Sequence, residues 1–289
     1  YWKPSPDSHV QSEVYAMNYA LIGCGRIAVN HIKAALNNRF RIVAACDLSE
    51  GSIESLLSKY DLQKDSSIAR YTDYALMLAE HPELELISIA TASGTHARIA
   101  LDCIDAGVNV IIEKPIAMSM DDADEIVRRS RETGVKVCAC HQNRFNLAVQ
   151  KTRRALESGR FGTLSHGSVH VRWNRGPGYY AQAPWRGKWA SDGGCLMNQC
   201  LHGIDLLRWM CGDEVVRVYG ATRRAFHDYI QAEDVGAAVI EFANGMVATV
   251  EGTVNLADED LEEHNKAVFK GFFSTLKSYD HYLKFVFLT

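Results

Sequence analysis

The chain has 289 residues, of which 47% are hydrophobic and 23% charged, a composition that excludes the disordered, collagen-like and coiled-coil classes. Its 31 Lys and Arg residues against 35 Asp and Glu residues give a formal net charge of -4, so no basic field exists to hold a nucleic acid. The first thirty residues lack a signal-peptide pattern, and no uncharged apolar run approaches the roughly 18 residues that span a bilayer. We therefore expect a cytoplasmic protein without a membrane or nucleic-acid partner.

The eight cysteines are scattered along the chain and form no C-x-x-C pair. Cys195 and Cys200 are close in sequence, but no second Cys or His pair has the spacing of a zinc site. Several of the cysteines sit inside apolar runs, where a reduced thiol behaves as a small core side chain. We interpret them as reduced core residues and expect no bound metal.

Residues 1–16 contain two prolines and no hydrophobic period, so they are predicted to be a tail. From Met17 onward, short apolar runs, often β-branched, alternate with helical patterns. The strand candidates are 19–22, 41–46, 86–90, 108–112 and 135–140, and the helix candidates are 26–37, 52–60, 72–80, 95–106 and 119–133. Continuous apolar runs are typical of strands buried on both faces of a parallel sheet. The alternation predicts a doubly wound parallel α/β domain over 17–142.

The pattern changes after this domain. A helix candidate at 147–157 is followed by 165–173, where apolar and polar side chains alternate with period two, as in an antiparallel sheet with one polar face. Further strand candidates lie at 214–226, 234–243 and 246–254. Asn244-Gly245 joins the last two and is a strong hairpin signal. We predict an α+β domain over 143–289, built on a mostly antiparallel sheet.

A glycine-rich turn, GCGRIA, follows the first predicted strand. Gly23 suits the tight turn, Gly25 lets the backbone approach a pyrophosphate, and Ala28 permits close packing of helix on strand. The N-terminus of the following helix favours the phosphates. Asp47 ends the next strand, where a carboxylate can accept from a ribose 2′-hydroxyl and would repel a 2′-phosphate. The pattern predicts a Rossmann dinucleotide site that prefers NAD to NADP.

Glu113-Lys114-Pro115 closes the fourth predicted strand, at the carboxyl end of the sheet where open α/β folds bind ligands. A lysine there can point its ammonium at a substrate oxygen. Partial burial would lower the pKa of its amine into a range useful for proton transfer. Lys114 is therefore a candidate catalytic residue.

With these motifs the chain resembles the glucose-fructose oxidoreductase/inositol dehydrogenase (Gfo/Idh/MocA) family over residues 17–254. The resemblance rests on GCGRIA, on Thr91 and His96 in TASGTHARIA, on EKP at 113–115, and on GGCLMNQCLHGIDLLRWMCG at 193–212. It implies an NAD-binding N-terminal domain and a C-terminal domain whose open sheet often forms subunit contacts. It also implies nicotinamide-dependent oxidation or reduction of a sugar-like alcohol or ketone by a homodimer or homotetramer.

The resemblance assigns residues to two sites. For the cofactor it implies Gly23, Gly25, Arg26, Ile27, Asp47, Thr91, His96, Glu113, Lys114 and Gln142. In HQNRF, Gln142 and Arg144 fall where relatives line the cleft between their domains. The substrate candidates are Lys114, Arg144, Asn198 and His202, to which the arginine- and aromatic-rich segment 172–194 adds Arg172, Tyr179, Trp185 and Arg186.

In many relatives the EKP lysine works with an Asp-x-x-x-His pair, where this chain has Asn198 and His202. If 196–211 is helical, both side chains lie along one face and can point together at a substrate. Asparagine cannot exchange a proton as aspartate can, but it can hydrogen-bond a substrate oxygen or orient His202. We expect His202 to remove a hydroxyl proton and Lys114 to stabilise the same oxygen or share the transfer, with Asp205 as a buttress.

The segment 172–194, which precedes the catalytic helix, is rich in arginine and aromatic residues. Such a loop can bind anions and stack on flat rings, which suits a carboxylated or nucleotide-linked sugar, although a packed loop with exposed guanidinium groups would look the same. The LMNQ sequence resembles the corresponding residues in the branch of the family that contains UDP-N-acetylglucosaminuronate 3-dehydrogenases.

Two alternatives stay open. The enzyme could act on a free sugar, cyclitol or glycoside, or the chain could be a non-catalytic NAD-binding sensor or partner protein. Asn198 favours the second alternative. So does the C-terminal sequence, which no longer follows the family pattern after about residue 262.

Overall fold

The computed structural model of the chain describes residues 17–212 and 214–256. Its strands are β1 (Asn18–Ile22), β2 (Arg41–Cys46), β3 (Ala69–Tyr71), β4 (Leu86–Ile89), β5 (Asn109–Ile112), β6 (Val137–Ala139), β7 (His166–Arg172), β8 (Val215–Arg223), β9 (Val235–Phe242) and β10 (Val247–Thr253). Its helices are α1 (Ala28–Asn37), α2 (Glu50–Ser58), α3 (Tyr74–Glu80), α4 (His96–Asp105), α5 (Met120–Thr133), α6 (Leu147–Glu157), α7 (Pro177–Tyr180) and α8 (Leu201–Cys211). Short 3-10 turns occupy Ser93–Thr95 and Gln142–Phe145, and a turn of π-helix occupies Cys195–Gln199.

The first sheet has the strand order β3-β2-β1-β4-β5-β6. β1 pairs in parallel with β2 on one side and with β4 on the other, so the direction of winding reverses at β1. This order is that of doubly wound dinucleotide-binding folds, in which ligands bind at the carboxyl ends of the strands beside the reversal. The predicted doubly wound α/β domain is confirmed.

The helices that cover this sheet begin and pack as their sequences dictate. In α1, Ala28, Ile32 and Ala35 recur at helical spacing and are buried with β1 and β2 in one apolar cluster. Ser49 caps α2 by accepting from the Ser52 amide at 3.3 Å. Asp73 caps α3 in the same way, accepting from the amide two residues later.

The second sheet has the order β7-β10-β9-β8. β10 and β8 are both antiparallel to β9, and the tight turn between β9 and β10 contains Gly245 at φ +83°. One face of the sheet packs under α8, where Val169, Val171 and Leu207 join the same buried cluster. The prediction of a mostly antiparallel sheet is confirmed, with one correction: β7 pairs in parallel with β10.

Two further corrections concern individual elements. Strand β3 was not predicted, because its three half-buried residues form no apolar run. The helical conformation considered for 196–211 is not one continuous α-helix: Cys195–Gln199 forms a π-helical turn, and α8 begins only at Leu201. The predicted tail at 1–16 and the irregular segment after residue 262 lie outside the described residues.

The chain divides into two compact units. One comprises the described residues up to Thr91 together with Ala100–Ile111 and Arg129–Val137. The other comprises Ala92–Ile99, Ile112–Arg128 and the described residues from Cys138 onward, so it contains both the Lys114 and the Asn198 segments. The predicted domain boundary between residues 142 and 143 stays a prediction.

The cysteines form no disulfide, and most of them are core residues as predicted. The buried ones are Cys24, Cys46, Cys103, Cys195, Cys200 and Cys211. No helix within the described ranges has the length and apolar composition needed to cross a bilayer.

Candidate active site

The turn after β1 has the geometry of a phosphate cradle. Gly23 has φ +95°, and a Cβ there would lie 2.6 Å from the backbone of Ala90, so no other residue fits without moving the chain. A Cβ at Gly25 would have no neighbour within 4 Å, so the backbone at this position is open to an approaching ligand. The two predicted glycine roles, tight turn and open approach, are both visible in this backbone.

Helix α1 presents its N-terminus directly after this turn. Ala28 is buried and lets the helix lie against β1, whereas Arg26 and Ile27 are exposed. No described side chain caps the first turn of α1, and no acidic residue lies in it. The Ala28 and Asn30 amides donate to the carbonyls of Gly25 and Ile27 at 3.1 and 3.0 Å, while the positive end of the helix dipole at this terminus favours an anionic ligand such as a pyrophosphate.

Asp47 stands beside the turn at the end of β2. Its Oδ2 accepts from the Cys24 amide at 2.8 Å, and its Oδ1 accepts from the Ser49 amide at 2.9 Å. These bonds orient a half-buried carboxylate that still has lone pairs for ribose hydroxyls. The carboxylate thus orders the turn and can also accept from a ribose, and the groups at this site fit NAD.

The other cofactor candidates follow strands β4 and β5 or lie near them. Thr91 comes directly after β4, while His96 is 1% exposed at the start of α4. The His96 Nδ1 lies 2.7 Å from the carbonyl oxygen of Pro115, so this histidine holds the Glu113-Lys114-Pro115 segment, in which the Lys114-Pro115 peptide is cis.

The Lys114 amine makes two hydrogen bonds to Asn198. Its Nζ donates to the backbone carbonyl of Asn198 at 2.7 Å and to the Asn198 side-chain Oδ1 at 3.0 Å. Burial lowers the pKa of the Lys114 amine, while the charges of Glu113 and Asp192 partly oppose this and that of Arg175 adds to it. A lysine with a lowered pKa can exchange a proton with a substrate nearer to neutral pH.

Asn198 occupies the π-helical turn and is 7% exposed. The Cys200 amide donates to the Cys195 carbonyl at 3.0 Å, which closes the wide i to i+5 turn. Turns of this kind are frequent at functional sites. The Asn198 Nδ2 donates to the carboxylate of Asp192, so the amide joins Lys114 to a buried acid.

His202 lies one turn further along, in the first turn of α8. Its Nε2 is 3.2 Å from Nε2 of Gln142, and its ring meets that of His141 edge-on at a centroid distance of 6.4 Å. Within the described residues, its buried Nδ1 has no hydrogen-bond partner. Burial, followed by the charges of Lys114 and His141, lowers the pKa of His202 to about 4, so the ring is neutral at physiological pH.

Arg144 and Asp205 form a bidentate ion pair. Nε of Arg144 donates to Asp205 Oδ2 at 2.8 Å, and Nη2 contacts the other oxygen. The hydrogen bond to Asp205 raises the pKa of the Arg144 guanidinium. Arg144, predicted to bind substrate, thus has a carboxylate partner already, and the supporting role expected of Asp205 stays a prediction.

The arginine and aromatic segment is joined to the π-helical turn through Gln199. Its Nε2 donates to the Tyr179 hydroxyl at 2.9 Å, and its Oε1 accepts from Arg175 Nε at 3.0 Å. The Arg186 guanidinium lies 4.0 Å from the centroid of the Tyr179 ring. This places Arg175 and Tyr179 in one network with Asn198, to which Gln199 also donates at 3.2 Å.

The remaining two substrate candidates have other contacts. Arg172 ends β7 and pairs with Glu251 of β10, its Nε donating to Oε1 at 2.9 Å. Trp185 is half-buried, and its carbonyl accepts from Ser191 at 2.8 Å. Asp192 was not singled out by the sequence, where its one signal is an isolated acid immediately before Gly193-Gly194.

Comparison with models of known protein families gives one match in each half of the chain. Residues 17–141 match the model of an oxidoreductase family with an NAD-binding Rossmann fold, and residues 149–271 match that of the GFO/IDH/MocA C-terminal domain. The chain belongs to the Gfo/Idh/MocA family. Its N-terminal domain is accordingly an NAD-binding Rossmann domain of an oxidoreductase family.

Solved structures and curated relatives extend this result. The chain is 34% identical to a WlbA dehydrogenase from Bordetella pertussis, crystallised with NADH and UDP-GlcNAcA, with a TM-score of 0.76 over 83% of this chain and 72% of the other. A second WlbA dehydrogenase, from Chromobacterium violaceum and with the same two ligands, is 31% identical, with a TM-score of 0.77 over 83% and 67% of the two chains. An inositol 2-dehydrogenase from Saccharopolyspora erythraea is 29% identical over 83% of this chain and 67% of the relative.

Proposed function

We propose that this chain is an NAD-dependent oxidoreductase that moves a hydride between a secondary alcohol carbon of a sugar and nicotinamide. The observation that carries the proposal is the half-buried Lys114 amine, fixed by two oxygens of Asn198 in a family that binds NAD. When bound, NAD supplies the hydride acceptor or donor. The chain's own residues have to orient the alcohol and handle its proton.

The geometry at Lys114 suits that proton. Nζ is tetrahedral, and Asn198 occupies two of its three hydrogen positions. The third position carries an N–H in the ammonium and a lone pair in the amine, so both protonation states present the same point to a substrate oxygen. Oxidation of the alcohol would pass the hydroxyl proton to the amine, and reduction of the ketone would return it.

His202 has a complementary role in this proposal. Sequence reasoning gave it the removal of the proton, but a pKa of about 4 makes its ring a weak proton acceptor. We therefore assign the transfer to Lys114, and His202, neutral and next to Gln142, accepts or donates one hydrogen bond to the substrate. Asn198 holds the lysine and does not exchange a proton.

For the substrate we propose a UDP-linked N-acetylated hexuronic acid that is oxidised at C3. The two WlbA dehydrogenases with UDP-GlcNAcA support this choice. So does the Arg186 side chain, whose buried Nε has no hydrogen-bond partner in the described part of the chain and could receive an anionic oxygen. A carboxylate and a diphosphate both offer such oxygens.

A cyclitol or free sugar is the second candidate, because an inositol 2-dehydrogenase is nearly as similar in sequence. The two candidates separate in one assay. NADH formation at 340 nm is followed with UDP-N-acetylglucosaminuronate, UDP-N-acetylglucosamine, myo-inositol and free N-acetylglucosamine, and the thermal shift produced by UDP alone is measured beside it.

Turnover of the uronate together with stabilisation by UDP supports the first candidate. Turnover of myo-inositol without a UDP effect would replace it with the second. Binding of NADH with turnover of no member of the panel would leave the non-catalytic alternative in the lead.

A further inference from the structure

A buried carboxylate stands behind Asn198. Asp192 is 3% exposed, and both of its oxygens act as acceptors: Oδ2 accepts from the Gly187 amide at 2.6 Å, and Oδ1 accepts from Nδ2 of Asn198. An acid that accepts on both oxygens in a buried site is behaving as a carboxylate. A chain of hydrogen bonds therefore leads from the Gly187 amide through Asp192 and Asn198 to Lys114.

The far end of this chain of hydrogen bonds is fixed by the backbone. Gly187 has φ +69°, and its carbonyl accepts from the Gln231 and Ala232 amides at 2.8 and 3.0 Å. A Cβ at Gly187 would lie 2.6 Å from Ile230, so the turn leaves no room for adjustment. The amide that holds Asp192 therefore has a defined position, and so has the carboxylate.

Beside Lys114, the orientation of the Asn198 side-chain amide matters, because its nitrogen is a donor and its oxygen an acceptor. Only the amide nitrogen can donate to the Asp192 carboxylate, and this leaves Oδ1 facing the Lys114 amine. A flipped amide would set an oxygen against the carboxylate and an NH₂ group against an ammonium. Both contacts are repulsive, so the carboxylate selects one of the two orientations.

We propose that Asp192 is a positioning residue, whose carboxylate fixes the Asn198 amide so that Oδ1 and the backbone oxygen together hold the Lys114 amine. The catalytic consequence rests on the proposed function, but the effect on Lys114 does not. Asp192 also supplies a negative charge within this chain of hydrogen bonds, which favours the ammonium form of Lys114. The charged and titratable groups that act on Lys114 or feel its charge are Glu113, His141, Arg175, Asp192 and His202.

The experiment compares the full-length wild-type chain with Asp192→Asn and with a matched control, Asp234→Asn. Asp234 is also fully buried and accepts from the backbone amides of Ala225, Phe226 and His227, but it has no contact with Asn198 or Lys114 among the described residues. The ionisation of Lys114 is read without substrate or cofactor from the ¹⁵Nζ NMR signal of lysine-labelled protein. A Lys114→Arg variant assigns that signal.

In Asp192→Asn the Lys114 titration midpoint should fall, because a negative charge and the fixed acceptor are both lost. Where turnover is established, kcat should fall about 10-fold or more while the KM for NAD stays within a factor of about two. Asp234→Asn should leave both the midpoint and kcat near those of the wild type, whatever it does to thermal stability.

A second pair of variants distinguishes loss of the Asp192–Asn198 hydrogen bond from a general loss of folding. Asn198→Asp alone sets two carboxylates against each other and should lower kcat. Combined with Asp192→Asn, it exchanges the amide and the acid, restores the hydrogen bond and presents a carboxylate to Lys114. The double variant should regain most of the lost kcat and shift the Lys114 midpoint above that of the wild type.

An unchanged Lys114 midpoint in folded Asp192→Asn, or a double variant no better than the worse single one, would overturn the positioning role. If the midpoints move as expected but wild-type protein turns over no substrate, the proposed function fails and the positioning of Lys114 stands.

Discussion

Nζ of Lys114 donates to two oxygens of the same residue, the backbone carbonyl and the side-chain Oδ1 of Asn198, at 2.7 and 3.0 Å. Two bonds to one residue fix the direction of the amine as well as its position. They also explain how an asparagine can stand where many relatives carry an aspartate. In the proposed site its task is to orient the lysine amine, and an amide with one fixed orientation can do this without exchanging a proton.

Lys114→Met keeps an unbranched apolar chain as far as Cε but removes the amine, so kcat should fall at least about 100-fold, the usual cost of losing a group that transfers a proton in the transition state. Binding of NADH should change little, which a fluorescence titration checks. Lys151→Met, on the exposed surface of α6, is the matched control and should retain wild-type kcat. A Lys114→Met enzyme with near-normal turnover would remove the lysine from the mechanism.

The parts of the site that the sequence predicted are the local ones. Gly23, Gly25 and Asp47 were singled out because strand, turn and helix follow one another along the chain. The structure shows the predicted turn there, and cofactor binding by these residues stays a prediction. The role of Asp192 was not found, because its partners, the Gly187 amide and the Asn198 side chain, meet it only through the folded turn.

Two features of the fold were not predicted from the sequence, for a similar reason. The π-helical turn leaves the apolar pattern of 196–211 compatible with an ordinary α-helix, so periodicity alone could not reveal it. The parallel pairing of β7 with β10 depends on which strands meet across a connection of more than seventy residues. An alternating strand has the same sequence pattern in either direction.

Asp47→Ala should weaken the binding of NADH far more than that of NADPH, because the carboxylate accepts from a ribose hydroxyl in the first and opposes a phosphate in the second. Fluorescence titrations with the two dinucleotides measure the ratio of their Kd values. Asp65→Ala, which removes an exposed acid that accepts from the Ser67 amide, is the control and should keep the wild-type ratio. Equal losses for both dinucleotides in Asp47→Ala would reduce Asp47 to a structural role.

His202 should make the protein less stable as the pH falls. Its pKa is about 4 in the folded chain, below the ordinary value near 6.5, so between these values the unfolded chain binds the extra proton and is favoured. Stability from this group is complete above about pH 6.5 and is lost as the pH falls toward about 4. Urea unfolding of wild type and His202→Gln at pH 7.5 and 5 should show a pH-dependent loss about 1 kcal/mol smaller in the variant, a figure reduced for the partial exposure of the ring.

The control for this comparison is His166→Gln, at an exposed position of β7, which should follow the wild-type pH dependence. If His202→Gln also follows it, the burial of the imidazole in solution differs from that in the structure.

Arg186→Lys tests the anionic part of the substrate. The Arg186 guanidinium is held by Nη1, which donates to the Tyr179 carbonyl at 2.8 Å and to Gln182 at 3.0 Å, while its buried Nε has no hydrogen-bond partner among the described residues. Lysine keeps the charge but not the planar fork, so a diphosphate or carboxylate should bind less well. We expect the KM for UDP-N-acetylglucosaminuronate to rise about 10-fold, with kcat and NADH binding little changed.

The same variant should lose most of the thermal stabilisation that UDP gives to the wild type, and this separates the nucleotide from the sugar carboxylate. If stabilisation by UDP survives while the KM for the uronate rises, Arg186 recognises the carboxylate instead. Arg217→Lys, an exposed position of β8 paired with Glu241, is the control and should match the wild type in both measurements. An unchanged KM in Arg186→Lys would place the anion site elsewhere and leave the stacked arginine and tyrosine as packing.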